Sequence, residues 1–286
     1  MPTEYPKKET TYVIDTESGA ETARLMYLDN MLTEYLGDLF PIPIDNERAM
    51  RVLDLACGPG GWALRVAHRY PKAEVYGVDI IEGFVRYAQA QAWAQRLDNN
   101  AFFKVMDILK PLEFDDNSFD VVNARLLYFL MPKTAWSGLL QEGMRILRPG
   151  GLLCLTECET GISNAPHCEQ LNQLFLRSML NAGMLFSPDG RNVGITPMMG
   201  GLLRDAGCVD VQQRAEAIDF SAGAPAHHVF CENIIVGSKL TQPFLIKMGV
   251  TTQEEIDKLY DQCLEEMNSE DFRAIWYYLR AWGWKP

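Results

Sequence analysis

Three carboxylates sit in or at the end of consecutive apolar runs: Asp54 within RVLDLAC, Asp79 closing EVYGVD and Asp107 closing AFFKVMD. The first run breaks into Cys57-Gly58-Pro59-Gly60-Gly61, where absent Cβ atoms let backbone approach a ligand. By pattern, Gly58 to Ala63 satisfies G-x-G-x-x-G/A, the dinucleotide fingerprint, and Asp79 stands where a ribose-binding acid belongs. A P-loop fits less well, because no Gly-Lys-Ser/Thr follows the glycines. Charge separates these alternatives. A diphosphate is held by backbone N–H groups at a helix N-terminus and is repelled by carboxylates. Three acids at neighbouring strand ends suit instead a ligand with a cationic centre, ribose hydroxyls and an amino donor.

The elements that must bring these acids together follow from hydrophobic pattern. Strands are expected at 51–57, 74–79, 101–107, 119–126 and 152–159, and helices at 61–70, 83–97 and 132–147, with RPGG at 148–151 as a turn. Regularity then lapses into helical stretches, a short helix over 198–207, a strand over 209–220, more helix over 226–269 and an aromatic final strand from Ala274. Alternating β and α with buried-type strands predicts an α/β fold with a doubly wound, mainly parallel sheet, whose strand ends converge on a ligand crevice. An amphipathic helix precedes this core, beginning near Glu21; its Arg24, Tyr27 and Asp29 cannot all face one way.

With 286 residues, 48% hydrophobic and 22% charged, the chain has the composition of an ordinary globular protein. A net charge of −12 argues against non-specific nucleic-acid binding, so no nucleic-acid partner is expected. Seven scattered cysteines, an odd number, are expected as free thiols in a reducing compartment rather than as a disulfide framework. Cys154 and Cys158 would share one face of a strand as small core residues. No Cys/His group has zinc-site spacing, so no metal is expected. The polar start lacks a signal-peptide core, and no apolar window reaches the ~18 residues of a membrane span. A cytoplasmic protein is expected, and a homo-oligomer is compatible with the sequence.

S-adenosylmethionine carries the inventory the acids call for: an α-ammonium, a sulfonium, two ribose hydroxyls and an adenine amine. At this point the chain resembles the class I S-adenosylmethionine-dependent methyltransferases, closest to the small-molecule group that includes ubiquinone/menaquinone-biosynthesis enzymes. The matching segments are VLDLACGPGGWALRVA, VYGVDI, VMDILKPLEFDDNSFDVVNARLLYFL and LRPGGLL, in order, over about residues 50–153. The resemblance implies a Rossmann-like sheet of seven strands with a reversed last strand. It also implies an N-terminal helical lid over 1–49, a methyltransferase domain over 50–286, and helical cap insertions at about 161–197 and 226–270. Gly58 and Gly60, with the backbone of Ala56 and Cys57, would cradle the methionine and ribose. Asp54 would receive the ammonium, Asp79 the ribose hydroxyls and Asp107 the adenine amine, while Ile80, Met106 and Ile108 pack on adenine. Asn123 would lie near the ammonium.

Methyl transfer needs an aligned nucleophile, exclusion of water and, for some acceptors, a base. His167 and His228 are the candidate bases; His68, at a helix end, reads as structural. Tyr12, Arg125, Tyr128 and Glu157 are the candidate contacts to a small-molecule acceptor, with Arg125 equally able to pair with an acid. Phe175, Met179, Met184, Phe186, Met198 and Met199 suit either an apolar pocket or packing of cap on core, the second being favoured. Two rivals remain at this level: a nicotinamide-dependent oxidoreductase using the same loop, and a non-catalytic cofactor-binding partner subunit.

Overall fold

The computed structural model describes residue 14 and residues 19–45 and 47–286. Its strands are β1 (Met50–Leu55), β2 (Ala73–Asp79), β3 (Ala101–Val105), β4 (Phe119–Arg125), β5 (Leu147–Cys158), β6 (Ile162–Ser163), β7 (Val209–Asp219) and β8 (Ala274–Trp284). They form one sheet in the order β3-β2-β1-β4-β5-β8, with β7 and the two-residue β6 both paired to β8. β1 to β5 run parallel, and β8 is antiparallel to both β5 and β7. The reversed last strand is therefore present, and β6 is an addition to the seven strands expected.

The helices are α1 (Gly19–Leu36), α2 (Gly61–Arg69), α3 (Glu82–Ala94), α4 (Trp136–Ile146), α5 (Pro166–Asn181), α6 (Met199–Asp205), α7 (His227–Lys247) and α8 (Gln253–Met267). Neighbours on β1 show how the layers form. Val52 turns to one face and packs in a cluster with Trp62 and Val66 of α2 and Val85 and Ala88 of α3. Leu53 turns to the other and clusters with Val122 and with Leu139 and Met144 of α4. Each such buried side chain contributes about 1.5–3 kcal/mol. Burial on both faces is why these strands are written as unbroken apolar runs.

Beyond β5 the chain leaves the sheet twice. α5 packs on α8, and α7 packs on α1, α5 and α8. The break between α7 and α8 is written locally: Gly249 takes φ +69, and Thr252 opens α8 in a reciprocal capping box with Glu255. Among the described residues no helix is long and apolar enough to cross a membrane.

Two local expectations are corrected. Arg148-Pro149-Gly150-Gly151 is a bend inside β5 rather than a turn before it. Gly150 at φ +75 donates to the Lys285 carbonyl, so pairing with the chain end after β8 carries the strand through. The cysteines are not all free thiols: Cys168 of α5 is bonded to Cys263 of α8, 95 residues away. Cys57, Cys154, Cys158, Cys208 and Cys231 are free. The bond depends on the packing of α5 against α8, which spacing along the chain does not reveal. Reduction, or Cys263→Ser, is expected to lower the unfolding free energy by about 2–4 kcal/mol. Urea unfolding with and without dithiothreitol measures this, and coincident curves would show that the cross-link contributes no stability.

Candidate functional site

The glycine loop owes its shape to a carboxylate on the next strand. After β1 the chain turns through Ala56 (φ +51), Gly58 (φ +54) and Gly60 (φ +86). Cys57 N–H donates to the Val78 carbonyl (2.9 Å), which ties the loop to β2. Asp79, 7% exposed, accepts from the Gly58 amide at 2.8 Å and from the Ile81 amide at 2.9 Å. Burial pushes its carboxyl up to about 6, against the pull of these N–H donors. Asp54 pairs in register with Asn123 across β1 and β4 and accepts from its amide at 2.8 Å. Burial pushes that carboxyl up to about 7, opposed by the Arg125 charge and the Asn123 donor.

A crevice opens at these strand ends. Of the residues expected to hold a cofactor, Ala56, Cys57, Gly58, Asp79 and Ile80 line it, as do Met106, Asp107 and Ile108 after β3. Asp107 accepts from the Leu109 amide (3.0 Å) and pairs with Lys110 (3.3 Å). Three expected contacts do not reach the lining. Asp54 and Asn123 stand behind the loop, where Asn123 faces a smaller cavity with Thr156 and Arg280. A Cβ on Gly60 would meet Ala88 at 2.7 Å and Phe103 at 2.9 Å, so that glycine serves close packing of the loop on α3 and β3.

The other wall is α1, through Leu25, Leu28, Asp29 and Leu32. Asp29 pairs with Arg125 at the end of β4, and Arg125 in turn lies over the Trp62 ring (5.8 Å). Its second oxygen is buried without a hydrogen bond, with Arg65 Nε 3.5 Å away. Asp29 rests directly on Gly61, the first residue of α2: a Cβ there would lie 2.5 Å from the carboxylate. A carboxylate therefore lies beside the first turn of α2, where it would repel a diphosphate bound at that positive end.

A second cavity lies beneath α5 and α7, and Phe129 lines both it and the crevice. Tyr128 lines this cavity, its hydroxyl pushed well above the usual range by burial. Both residues belong to a 3-10 turn after β4, entered through Leu126 at φ +55. Glu157, 0% exposed, holds that turn by accepting from the Leu127 amide (2.8 Å) and the Tyr128 amide (3.3 Å). Burial pushes its carboxyl up to about 8.

Residues 52–151 match a family model described as a methyltransferase domain. Over 177 residues the chain is 27% identical to methyltransferase str2 of Strobilurus tenacellus, covering 60% of each protein. Over 109 residues it is 37% identical to the ubiquinone/menaquinone biosynthesis C-methyltransferase UbiE of Dinoroseobacter shibae, covering 38% of this chain and 42% of that one. A phosphoethanolamine N-methyltransferase of Haemonchus contortus, solved with S-adenosylmethionine, shares the fold at a TM-score of 0.53 and 19% identity, covering 95% of this chain and 57% of that one. Residues 52–151 therefore carry a methyltransferase domain, in a chain with the fold of an S-adenosylmethionine-binding methyltransferase. The chain spans between 42% and 60% of the lengths of the two curated relatives named.

Several expected acceptor-side residues lie elsewhere. His167 Nδ1 is 2.5 Å from Glu266 at the junction of α5 and α8, and His228 is 81% exposed beside Glu232. Neither lines the crevice or the second cavity; the α5 and α7 residues on the second cavity begin at Leu171 and Asn233, later in each helix. Glu157 acts on backbone beneath the turn instead of lining a cavity. His68 is exposed on α2. Of the apolar cap residues, Phe175 lines the second cavity, whereas Met179, Met184 and Met199 are buried in the core, Phe186 packs on Trp136 and Met198 is exposed. Tyr12 lies outside the described residues.

Asp29 carries no motif around it; its signal was the helix on which three polar residues could not share a face. Gly61→Ala is expected to push Asp29 and α1 off the crevice, at a cost of about 1–3 kcal/mol from overpacking. Hydrogen exchange across residues 19–36 should then quicken. In an Asp29→Ala background, which removes the two nearest atoms, the same change should cost much less. Additive effects would disprove the contact's role.

Proposed function

We propose that the chain binds S-adenosylmethionine in the crevice and transfers its methyl group to a small, largely apolar or aromatic molecule held in the cavity beneath α5 and α7. One observation carries the cofactor half. Two buried carboxylates, Asp54 and Asp79, flank a glycine loop, and a third, Asp29, lies against the first residue of the helix that follows it. Burial disfavours their ionised forms, and a cationic ligand beside them restores those forms. A diphosphate would add repulsion.

When bound, S-adenosylmethionine supplies a methyl group on a sulfonium, a good electrophile that needs little further activation. In this reading Asp79 accepts from the ribose hydroxyls and Asp107 from the adenine amine, with Ile80, Met106 and Ile108 against the ring. Gly58 and the backbone of Ala56 and Cys57 cradle the remainder. Asp54 and Asn123, behind the loop, act on the ammonium side through backbone or water. Arg125, paired with Asp29, holds α1 in place rather than an anionic acceptor. The chain's part in the transfer is alignment and exclusion of water. Residues 1–49 serve as lid and the stretches 161–197 and 226–270 as cap, with Phe129 where cofactor and acceptor meet. The apolar lining of the second cavity supports a small-molecule acceptor.

Calorimetry with S-adenosylmethionine, S-adenosylhomocysteine and NADH tests the reading: the first two should bind, and binding of NADH alone overturns it. Asp79→Ala should weaken S-adenosylmethionine about 10- to 100-fold, as expected for loss of a charged hydrogen-bond acceptor. Unchanged affinity removes Asp79 from the ribose role.

The two raised carboxyl pKa values set a pH dependence. Unfolded aspartates ionise near ~3.9, so between there and about 7 the ligand-free folded chain holds more protons than the unfolded one. The stability of the ligand-free protein contributed by these groups therefore falls as pH rises through that window. Affinity for the cationic cofactor moves the opposite way, rising toward neutral pH and levelling once Asp54 and Asp79 are ionised. Calorimetric titrations from acid to neutral pH measure this, and a flat profile counts against both carboxylates as ligands.

A further inference from the structure

α7 turns one stripe to the second cavity: Asn233 and Ile234, Gly237 and Ser238, Thr241, then Leu245, spaced about a turn apart. Facing it are Leu171, Asn172 and Phe175 of α5 and Trp276 of β8. Asn233 is 6% exposed, and its carbonyl oxygen accepts from Arg24 Nη1 of α1 at 2.9 Å. A guanidinium offers only donors, so this bond fixes which way the carboxamide points. The oxygen is turned to Arg24, and the NH₂ is left for the cavity, with no acceptor among the described residues. A ligand oxygen that takes the place of water on this donor, in a low-dielectric chamber, adds about 0.5–1.5 kcal/mol.

The charge on Arg24 is already matched. Its Nε and Nη2 each lie 2.7 Å from the carboxylate of Glu21, which is 0% exposed. Arg24 is the single charged side chain among the described lining residues. On the opposite wall Asn172 donates to the Gly161 carbonyl (3.2 Å), which leaves its own oxygen toward the cavity as an acceptor. Among the described residues the chamber thus presents the Asn233 N–H donor and the Asn172 amide oxygen, with the hydroxyls of Tyr128, Thr160, Ser238 and Thr241, among aromatic rings and aliphatic chains. Its one charged side chain, Arg24, is paired with Glu21.

We propose that this cavity selects an uncharged, largely apolar molecule bearing an accepting oxygen, such as a ketone, quinone or ester carbonyl, that Asn233 hydrogen-bonds. Asn233 is then the specificity-determining residue. A carboxylate or phosphate would lose its hydration here and gain no net cation in return. The inference rests on the methyltransferase reading for what the chain does with that molecule, while its binding is testable alone.

The test is calorimetry or fluorescence titration of three probes sharing one ring system into the full chain loaded with S-adenosylhomocysteine: acetylnaphthalene, ethylnaphthalene and naphthoate. Acetylnaphthalene should bind about tenfold more tightly than either of the others, the worth of one added hydrogen bond. Asn233→Leu should erase the ketone's advantage over the hydrocarbon and leave both the hydrocarbon and S-adenosylhomocysteine unchanged. Asn233→Asp, which still accepts from Arg24 but turns an acceptor to the cavity, should do the same and serves if the leucine variant does not fold. Ile234→Trp should expel all three probes by filling the chamber. The proposal is overturned if naphthoate binds best, if ketone and hydrocarbon bind equally, if acetylnaphthalene does not saturate, or if it survives Ile234→Trp. Failure of S-adenosylhomocysteine itself to bind strikes instead at the methyltransferase reading, and the probes titrated without it then test the cavity alone.

Discussion

The hydrogen bond from the Gly58 amide to Asp79 is the constraint on which the site depends. A parallel sheet delivers all its strand ends to one edge, so a carboxylate closing β2 and a loop leaving β1 meet there by topology. The loop turns back three times with φ positive, and one of its freed amides satisfies the buried acid. The acid thereby shapes the loop, and the loop lets a carboxylate survive at 7% exposure. Asp54 and Asn123 repeat the arrangement one strand over, where register places donor against acceptor. The edge that results is acidic, enclosed and short of cations, which is a chemical specification for its ligand.

α1 completes the specification from outside the sheet. Arg24 and Asp29 lie five positions apart and so point to different sides of the helix. Asp29 reaches down onto Gly61 and Arg125, setting a negative charge beside the helix end that would otherwise have invited an anion. Arg24 reaches across to Asn233 on α7. Tyr27, the third of the residues that could not share a face, is left in solvent, 39% exposed.

Much of this was legible in the residues alone, for identifiable reasons. Strands buried on both faces must be apolar runs, and helices laid on them must carry a 3.6-residue stripe, so the alternation from β1 to β5 could be read without a structure. The acids at the strand ends were visible because each interrupts such a run. Legibility failed where tertiary packing, not local pattern, decides direction. His167 and His228 are the right residue types for a base, yet nothing near them in the chain says that one meets Glu266 and the other meets solvent. Glu157 read as a group for a ligand because strand-end acids often are; its partners are two amides thirty and twenty-nine residues back. The Cys168–Cys263 bond, Asp29 at Gly61 and the orientation of Asn233 all join elements far apart in sequence.

The two cavities are also not independent, and the reason is a shared helix. Asp29, which pairs with Arg125, and Arg24, which donates to Asn233, both leave α1, so a displacement of that helix bears on both contacts. Without Arg24 the Asn233 carboxamide loses the partner that decides its orientation, and either end could then face the cavity. The chamber therefore has its directed donor only while α1 lies against the glycine loop. The crevice likewise has its fourth wall only then, since Leu25, Leu28 and Leu32 belong to that helix. Recognition in the cap and enclosure at the strand ends are two consequences of a single docking event. The carboxylate that makes it possible is Asp29, seated where a glycine leaves it room.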